Sequence, residues 1–263
     1  MSHLEFRSVY LGQPGAPGRL LDIFDVEPGV PPQPVSLFFV HGGGWRSGSR
    51  THFHEIALAF RSLGFETASA DYRLGGGVDV FGQVADVREA LRFYAEDLHR
   101  RGRPERIVLL GSSAGAHLAL MAGLEHPAAA RVAGVCVQAA PFTFEPWPDI
   151  FPAIWQDMER IVGVPYAADP EAYRRASPIR LVRAEMPPVF ALHAENEHMF
   201  PLELTEEFIR KAAACGARAE YKVYPRTEHG FFYSLSRRQQ KEAFEDILAF
   251  IHSLEQQGWT AMA

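Results

Sequence analysis

The chain has 263 residues, 47% of them hydrophobic and 22% charged, with 26 Lys and Arg against 32 Asp and Glu for a formal net charge of −6. That composition excludes a disordered, collagen-like or disulfide-stapled chain. A mildly acidic balance without a dense Lys/Arg run gives no electrostatic footprint for nucleic acid or an anionic membrane surface, so neither is expected as a partner. The first residues, Met1-Ser-His-Leu-Glu-Phe-Arg7, carry neither a charged leader nor an apolar run, and no window approaches the roughly 18 apolar residues that span a bilayer. The expectation is a cytoplasmic protein. Cys136 and Cys215 stand outside any metal-ligand or CxxC spacing and are expected to be reduced, buried, structural thiols.

Residues 1–34 carry several Gly and Pro and read as edge strands or an irregular approach to a sheet. From there strand-length apolar runs alternate with helical patterns. Strands are predicted at 35–40, 65–70, 106–110, 132–138, 188–193 and 219–224, and helices near 53–63, 84–100, 114–125, 204–214 and 237–254. Near-continuous apolar strands separated by helices mark a mostly parallel sheet covered on both faces, an α/β fold. Residues 141 to about 186 break the alternation. This stretch holds Phe142, Phe144, Trp147, Phe151 and Trp155 among several prolines and is too short for its own core. It reads as a small cap over one end of the sheet within a single domain spanning 1–263. The Arg pairs at 100–101, 174–175 and 237–238 read as solvated helix ends or faces.

Gly111-Ser-Ser-Ala-Gly115 lies between an apolar strand and an Ala/Leu-rich helix, which puts Ser113 at the centre of G-x-S-x-G. A serine there occupies a tight strand-to-helix turn with its Oγ exposed beside a helix N-terminus. His41-Gly-Gly-Gly-Trp45 follows directly on the strand at 35–40. Its glycines can turn backbone N–H groups toward an oxyanion without side-chain obstruction. An acyl-transfer serine needs a base and a group that orients it. Where a strand–Ser–helix turn carries the nucleophile, an acid and then a histidine follow it along the chain. The histidines that leave room for that order are His193, His198, His229 and His252. His193 falls in or at the end of a strand and His252 in a helix, whereas His229 sits in Thr227-Glu-His-Gly-Phe-Phe232, a loop after the last strand. We assign His229 as base. For the acid, the segment Ala194-Glu-Asn-Glu-His-Met-Phe-Pro201 offers two carboxylates and no Asp. Spacing from the strand end and from Pro201 favours Glu197, with Glu195 the alternative and Glu228 placed on the surface. His52 and His54 lack a third ligand, so no metal is expected.

HGGGW, Asp71-Tyr-Arg-Leu74, GSSAG, the run from Pro187 to Pro201 and EHGFF together resemble the α/β-hydrolase superfamily. Within it the chain is most similar to the hormone-sensitive-lipase-like esterases and the bacterial feruloyl-esterase/arylformamidase group. The resemblance covers nearly all of residues 35–255. It implies an eight-stranded, mostly parallel sheet, Ser113 as nucleophile, His229 as base, Glu197 as the carboxylate, and the N–H groups of Gly43, Gly44 and Ala114 as oxyanion donors. Trp45, Trp147 and Trp155 are candidate substrate contacts. Two departures from the family pattern stand out: a Glu where Asp is commoner, and an N-terminus too short for a helical cap. The expected activity is cofactor-free hydrolysis of small to medium acyl or aryl esters through an acyl-enzyme. The alternatives are an arylformamidase, a peptidase of the prolyl-oligopeptidase kind, and a catalytically silent binding protein on the same scaffold. The expected partner is a small-molecule ester; a homodimer is compatible with the sequence, which leaves the oligomeric state open.

Overall fold

The computed structural model describes residues 6–12, 19–125 and 131–256. Residues 1–34 supply β1 (Arg7–Tyr10) and β2 (Leu20–Phe24), with 1–5 and 13–18 outside the described residues. Then follow β3 (Ser36–Val40), a 3-10 turn (Arg50–Phe53), α1 (His54–Ser62), β4 (Thr67–Ala70), α2 (Val80–Arg100), β5 (Ile107–Ser112), α3 (Ala114–Leu124) and β6 (Val132–Gln138). The interruption carries α4 (Pro152–Val162), α5 (Pro170–Arg175) and a second 3-10 turn (Pro178–Leu181). The chain closes with β7 (Val189–Asn196), α6 (Leu202–Ala214), β8 (Ala219–Glu228) and α7 (Arg238–Gln256). These form one eight-stranded sheet in the order β1-β2-β4-β3-β5-β6-β7-β8. It is parallel from β4 to β8, and β2 pairs antiparallel with both β1 and β4.

Side-chain alternation sorts each strand's residues between two cores. Phe38, Val40, Ile107 and Leu109 face α2, α3 and α6, whereas Leu37, Phe39, Val108 and Leu110 face α1 and α7. Both faces are apolar, so the strands read as continuous hydrophobic runs. Where the observed elements outrun the sequence pattern, polar hydrogen bonding extends them. α2 starts at Val80 because the Asp79 carboxylate accepts from the Gly82 N–H at 2.8 Å. β7 and β8 continue past their apolar residues through a shifted register in which Asn196 pairs with Glu228.

The aromatics at 142–155 do not form a separate cluster. Phe142 packs on Phe208 of α6 with ring centres 4.5 Å apart, and Phe144 packs 4.3 Å from His117 of α3. Only Phe151 of the five is strongly exposed, at 54%. Two expectations need correction. Cys136 is buried in β6, but Cys215 is exposed just past the end of α6, where a helix turns out toward solvent. Arg101 is not merely solvated; it bridges Asp25, Glu66 and Asp97, tying the end of α2 to the neighbouring strand ends.

The glycines of the serine turn are demanded by backbone approach. A β-carbon on Gly115 would lie 2.2 Å from the Val40 carbonyl oxygen and 2.3 Å from that of His41, so α3 abuts the end of β3 main chain to main chain. One on Gly111 would lie 2.5 Å from the Gly115 carbonyl oxygen. Gly115→Ala should therefore destabilise the fold by about 1–3 kcal/mol, as overpacking does, read as a lower denaturation midpoint at unchanged m-value.

Candidate active site

Strands β3, β5, β7 and β8 run the same way and bring their C-terminal ends to one edge of the sheet. At the end of β5, Ser113 adopts φ 53° and ψ −121°. For a residue with a β-carbon this left-handed backbone stores on the order of 1–3 kcal/mol. Two hydrogen bonds hold it: the Ser113 N–H donates to the Gln138 carbonyl at 2.9 Å, and its own carbonyl accepts from the His117 N–H at 3.1 Å.

His229 follows β8 directly, and its Nε2 lies 2.9 Å from Ser113 Oγ. Its Nδ1 is 2.8 Å from Glu197 Oε2 and 3.0 Å from Oε1. An ionised carboxylate can only accept, so Nδ1 carries the proton and Nε2 presents its lone pair to the serine hydroxyl. The Glu197 side chain is 1% exposed. Burial by itself pushes this carboxyl up, but the His229 hydrogen bond and charge, with the N–H groups of Met199 and Phe200, outweigh burial and hold it below its ordinary value. The alternative carboxylate lies elsewhere: Glu195 is exposed and accepts from the Arg226 N–H at 2.8 Å. Glu228 is exposed.

The glycine loop after β3 is oriented by its carbonyls. His41 Nδ1–H donates to the Gly42 carbonyl at 2.8 Å, and the Gly43 carbonyl accepts from Ser47 N–H at 3.0 Å and Ser47 Oγ–H at 2.9 Å. Across a trans peptide the N–H points opposite to the C=O, so the N–H groups of Gly43 and Gly44 face away from those donors. The Ala114 N–H likewise emerges from the start of α3. None of these three N–H groups donates to an acceptor among the described residues. Gly42 is different: its N–H donates to Tyr233 Oη at 3.0 Å.

Several supports were not legible in the sequence. Buried Gln138 donates from Nε2 to Ser112 Oγ at 3.1 Å and accepts the Phe232 N–H at 2.6 Å, bridging the serine turn and the histidine loop. Tyr72 donates its hydroxyl to the His41 carbonyl at 2.9 Å and stacks on the His41 ring at 4.4 Å. Gln83 of α2 donates to the carbonyls of both Trp45 and Arg73 at 2.7 Å. Asp71-Tyr-Arg-Leu74 thus braces the glycine loop from behind. A lone polar residue at a strand end, like Gln138, has no spacing that marks it.

The tryptophans part company. Trp147 is 9% exposed and packs against Phe200, which lies 5.9 Å from the His229 ring. Trp155 stacks on Tyr173 at 5.5 Å and is edge-on to Tyr166, inside the packing of the insert. Trp45, expected to touch substrate, is 2% exposed and packed against His117 and Phe144; its ring belongs to the core because α3 and the insert close over it. His54 is engaged by Asp22 at 2.9 Å and His52 packs edge-on to His41 and Tyr233. A cavity of about 500 Å³ opens beside the glycine loop between Gly48, Tyr72 and Leu74, and one of about 410 Å³ reaches His229 from the side of Arg226 and Arg237. Among the described residues, no helix is long and apolar enough to cross a membrane.

Solved structures share this architecture. Esterase 2 of Thermogutta terrifontis, in a form phosphorylated by paraoxon, superposes with a TM-score of 0.76 over 95% of both chains at 22% identity. Its propionate-bound form gives 0.71 over 90% of this chain and 89% of that one, at 24% identity. The fold is that of the α/β-hydrolases. Residues 21–212 match the profile of the BD-FAE family, and the chain belongs to that family. Among curated relatives, Esterase LipQ of Mycobacterium tuberculosis is 30% identical over 91% of this chain and 61% of its own length. Isoprenylcysteine alpha-carbonyl methylesterase ICME of Arabidopsis thaliana is 25% identical over 97% and 64%. The chain spans less than two thirds of the length of either relative.

Two outcomes follow from this geometry. Gln138→Leu strands the Phe232 N–H and should cost roughly 1–3 kcal/mol of stability, read as a lower urea midpoint, as the serine and histidine loops lose their tie. Glu197 has a lowered pKa in the folded protein, so its contribution to stability is complete above the ordinary value of 4.5 and is lost as pH falls through the lowered one. The stability gap between wild type and Glu197→Gln should be widest at neutral pH and narrow on acidification below 4.5, measured by urea melts across pH.

Proposed function

We propose that this chain is a serine carboxylic-ester hydrolase that works through an acyl-enzyme on small to medium acyl or aryl esters. The observation that carries the reading is the continuous relay from Ser113 Oγ through His229 to the buried Glu197 carboxylate, at 2.9 Å and 2.8 Å. Relatives named as esterases support it.

In the first step Ser113 Oγ attacks the ester carbonyl carbon while His229 Nε2 takes the hydroxyl proton. Glu197 steadies the imidazolium that forms, without itself taking the proton. Charge develops on the carbonyl oxygen, which the N–H groups of Gly43, Gly44 and Ala114 receive; a single such donor is worth roughly 2.7–4 kcal/mol of transition-state stabilisation. His229 then gives its proton to the departing alkoxide. Water, deprotonated by the same nitrogen, attacks the acyl carbon; the bond to Ser113 Oγ breaks, His229 returns the proton to that oxygen, and the acid leaves. The extra methylene of Glu197 over an aspartate is taken up by the loop that wraps its carboxylate with the Met199 and Phe200 N–H groups. We further propose that residues 141–186 act as a small cap of one hydrolase domain, with Trp147 and Phe200 forming the apolar wall beside His229. Ligand sites of this class are mostly apolar with few polar groups.

Ser113→Ala should abolish turnover of p-nitrophenyl acetate and labelling by a fluorophosphonate probe while leaving the melting transition intact. A folded Ser113→Ala protein with full activity, or wild type that neither labels nor turns over an ester, defeats the proposal. A panel of esters of graded chain length, with feruloyl, acetyl-sugar and N-formylkynurenine members, sets the substrate class; preference for the formamide would make it an arylformamidase.

A further inference from the structure

Trp45 and His117 have no part in the relay, yet both are buried at its edge. His117 stands on α3 one turn after Ser113, fully buried, with its backbone N–H on the Ser113 carbonyl. Its ring makes two polar contacts of opposite sense. Trp45 Nε1–H can only donate, and it points at His117 Nδ1 from 3.3 Å; the Ala176 carbonyl can only accept, and it lies 2.7 Å from His117 Nε2. Those partners fix one neutral tautomer, with the proton on Nε2. Burial acts the same way, lowering the imidazole to about 4 against the opposing effect of the Ala176 hydrogen bond.

Three segments meet at this ring. Trp45 ends the glycine loop and holds a left-handed backbone of φ 59° directly after Gly43 and Gly44. Ala176 closes α5, the last helix of the insert. His117 belongs to the helix whose first N–H is that of Ala114. Phe144 fills the space between, 4.3 Å from His117 and 5.2 Å from Trp45. On the far side the Trp45 carbonyl accepts from Gln83 Nε2 at 2.7 Å and from the Gly75 N–H at 3.2 Å, so the residue is gripped at both ends.

We propose that His117 is a positioning residue: through Trp45 it sets the glycine-loop N–H groups against Ser113, and through Ala176 it locks the insert to the same frame. The inference rests on the hydrolase reading above. Its consequence is selective, because the tie governs the oxyanion donors and not the serine–histidine contact. Loosening it weakens binding of a tetrahedral oxyanion more than it weakens ground-state binding of the ester.

The test compares Trp45→Phe, His117→Leu and His117→Gln with wild type. Each is assayed for kcat and KM on p-nitrophenyl acetate, for thermal melting, and for inhibition by a trifluoromethyl ketone. That inhibitor accepts the serine oxygen at its carbonyl carbon, sends the π electrons to oxygen and leaves the hydroxyl proton on His229, reproducing the oxyanion. Trp45→Phe and His117→Leu should lower kcat by about 10- to 100-fold, a part of what a lost oxyanion donor costs, with KM within about 3-fold and ketone affinity falling in step with kcat/KM. His117→Gln, which keeps a donor and an acceptor on one side chain, should recover most of the kcat lost in His117→Leu. His117→Leu strands two buried polar groups and can fail to fold; Trp45→Phe then carries the comparison. Folded Trp45→Phe protein with wild-type kcat and ketone affinity overturns the inference, as does a loss explained wholly by the fraction unfolded. Wild type that hydrolyses no ester and ignores the ketone instead overturns the hydrolase reading, and the inference falls with it.

Discussion

The approach of α3 to the end of β3, main chain against main chain at Gly115, is the constraint on which the site depends. It places the glycine loop that leaves β3 beside the serine turn that leaves β5, and no side chain separates them. Gly42 is caught in the same squeeze: a β-carbon there would lie 2.7 Å from Tyr233 Oη, 2.8 Å from the Ser112 carbonyl oxygen and 3.3 Å from Ser113 Cβ. The spacing between the proposed nucleophile and the proposed oxyanion donors is thus set by van der Waals contact of backbone atoms, the stiffest ruler a protein has. The strained backbone of Ser113 is tolerable because β5, β6 and α3 over-determine it.

Around that contact the buried polar groups are sorted by charge. Glu197 keeps its negative charge under cover because a histidine and two backbone N–H groups compensate its desolvation. His41 and His117 stay neutral, each lowered to about 4 chiefly by burial. His229 differs from both in being partly open to solvent at the centre of the site. Gln138, Tyr72 and Gln83 carry no charge and serve as crosspieces between loops, satisfying backbone groups that would otherwise be stranded.

Much of this was legible in the chain. Strand-length apolar runs at 35–40, 106–110 and 132–138 fall on β3, β5 and β6 because both faces of those strands are covered. Ser113 and Glu197, chosen by motif and order, each lie within hydrogen-bond reach of His229, which stands between them. What escaped notice is long-range and polar. Trp45 follows three glycines and reads as a pocket residue, but an acceptor on His117, remote in sequence, draws its indole into the core. Gln138 ends a strand with nothing in its neighbours to announce two partners. Among the described residues the polar ends of β7 and β8 pair only with each other, so hydropathy stops short of them. Cys215 sits where an amphipathic pattern gives out, and its exposure depends on how α6 ends.

β8 is one of the two outer strands of the sheet, bonded among the described residues to β7 alone, and His229 hangs from its end. An edge element has one ladder to lose, whereas Ser113 and the glycine loop rest on strands bonded on both sides. Opening of β8 with α7 therefore costs less free energy than unfolding the whole sheet, and it takes the proposed base away from a serine that stays in place. The hydrogen-bonded relay is assembled across regions of unequal local stability, so partial fraying at the sheet edge breaks it while most of the amide protection of the fold persists.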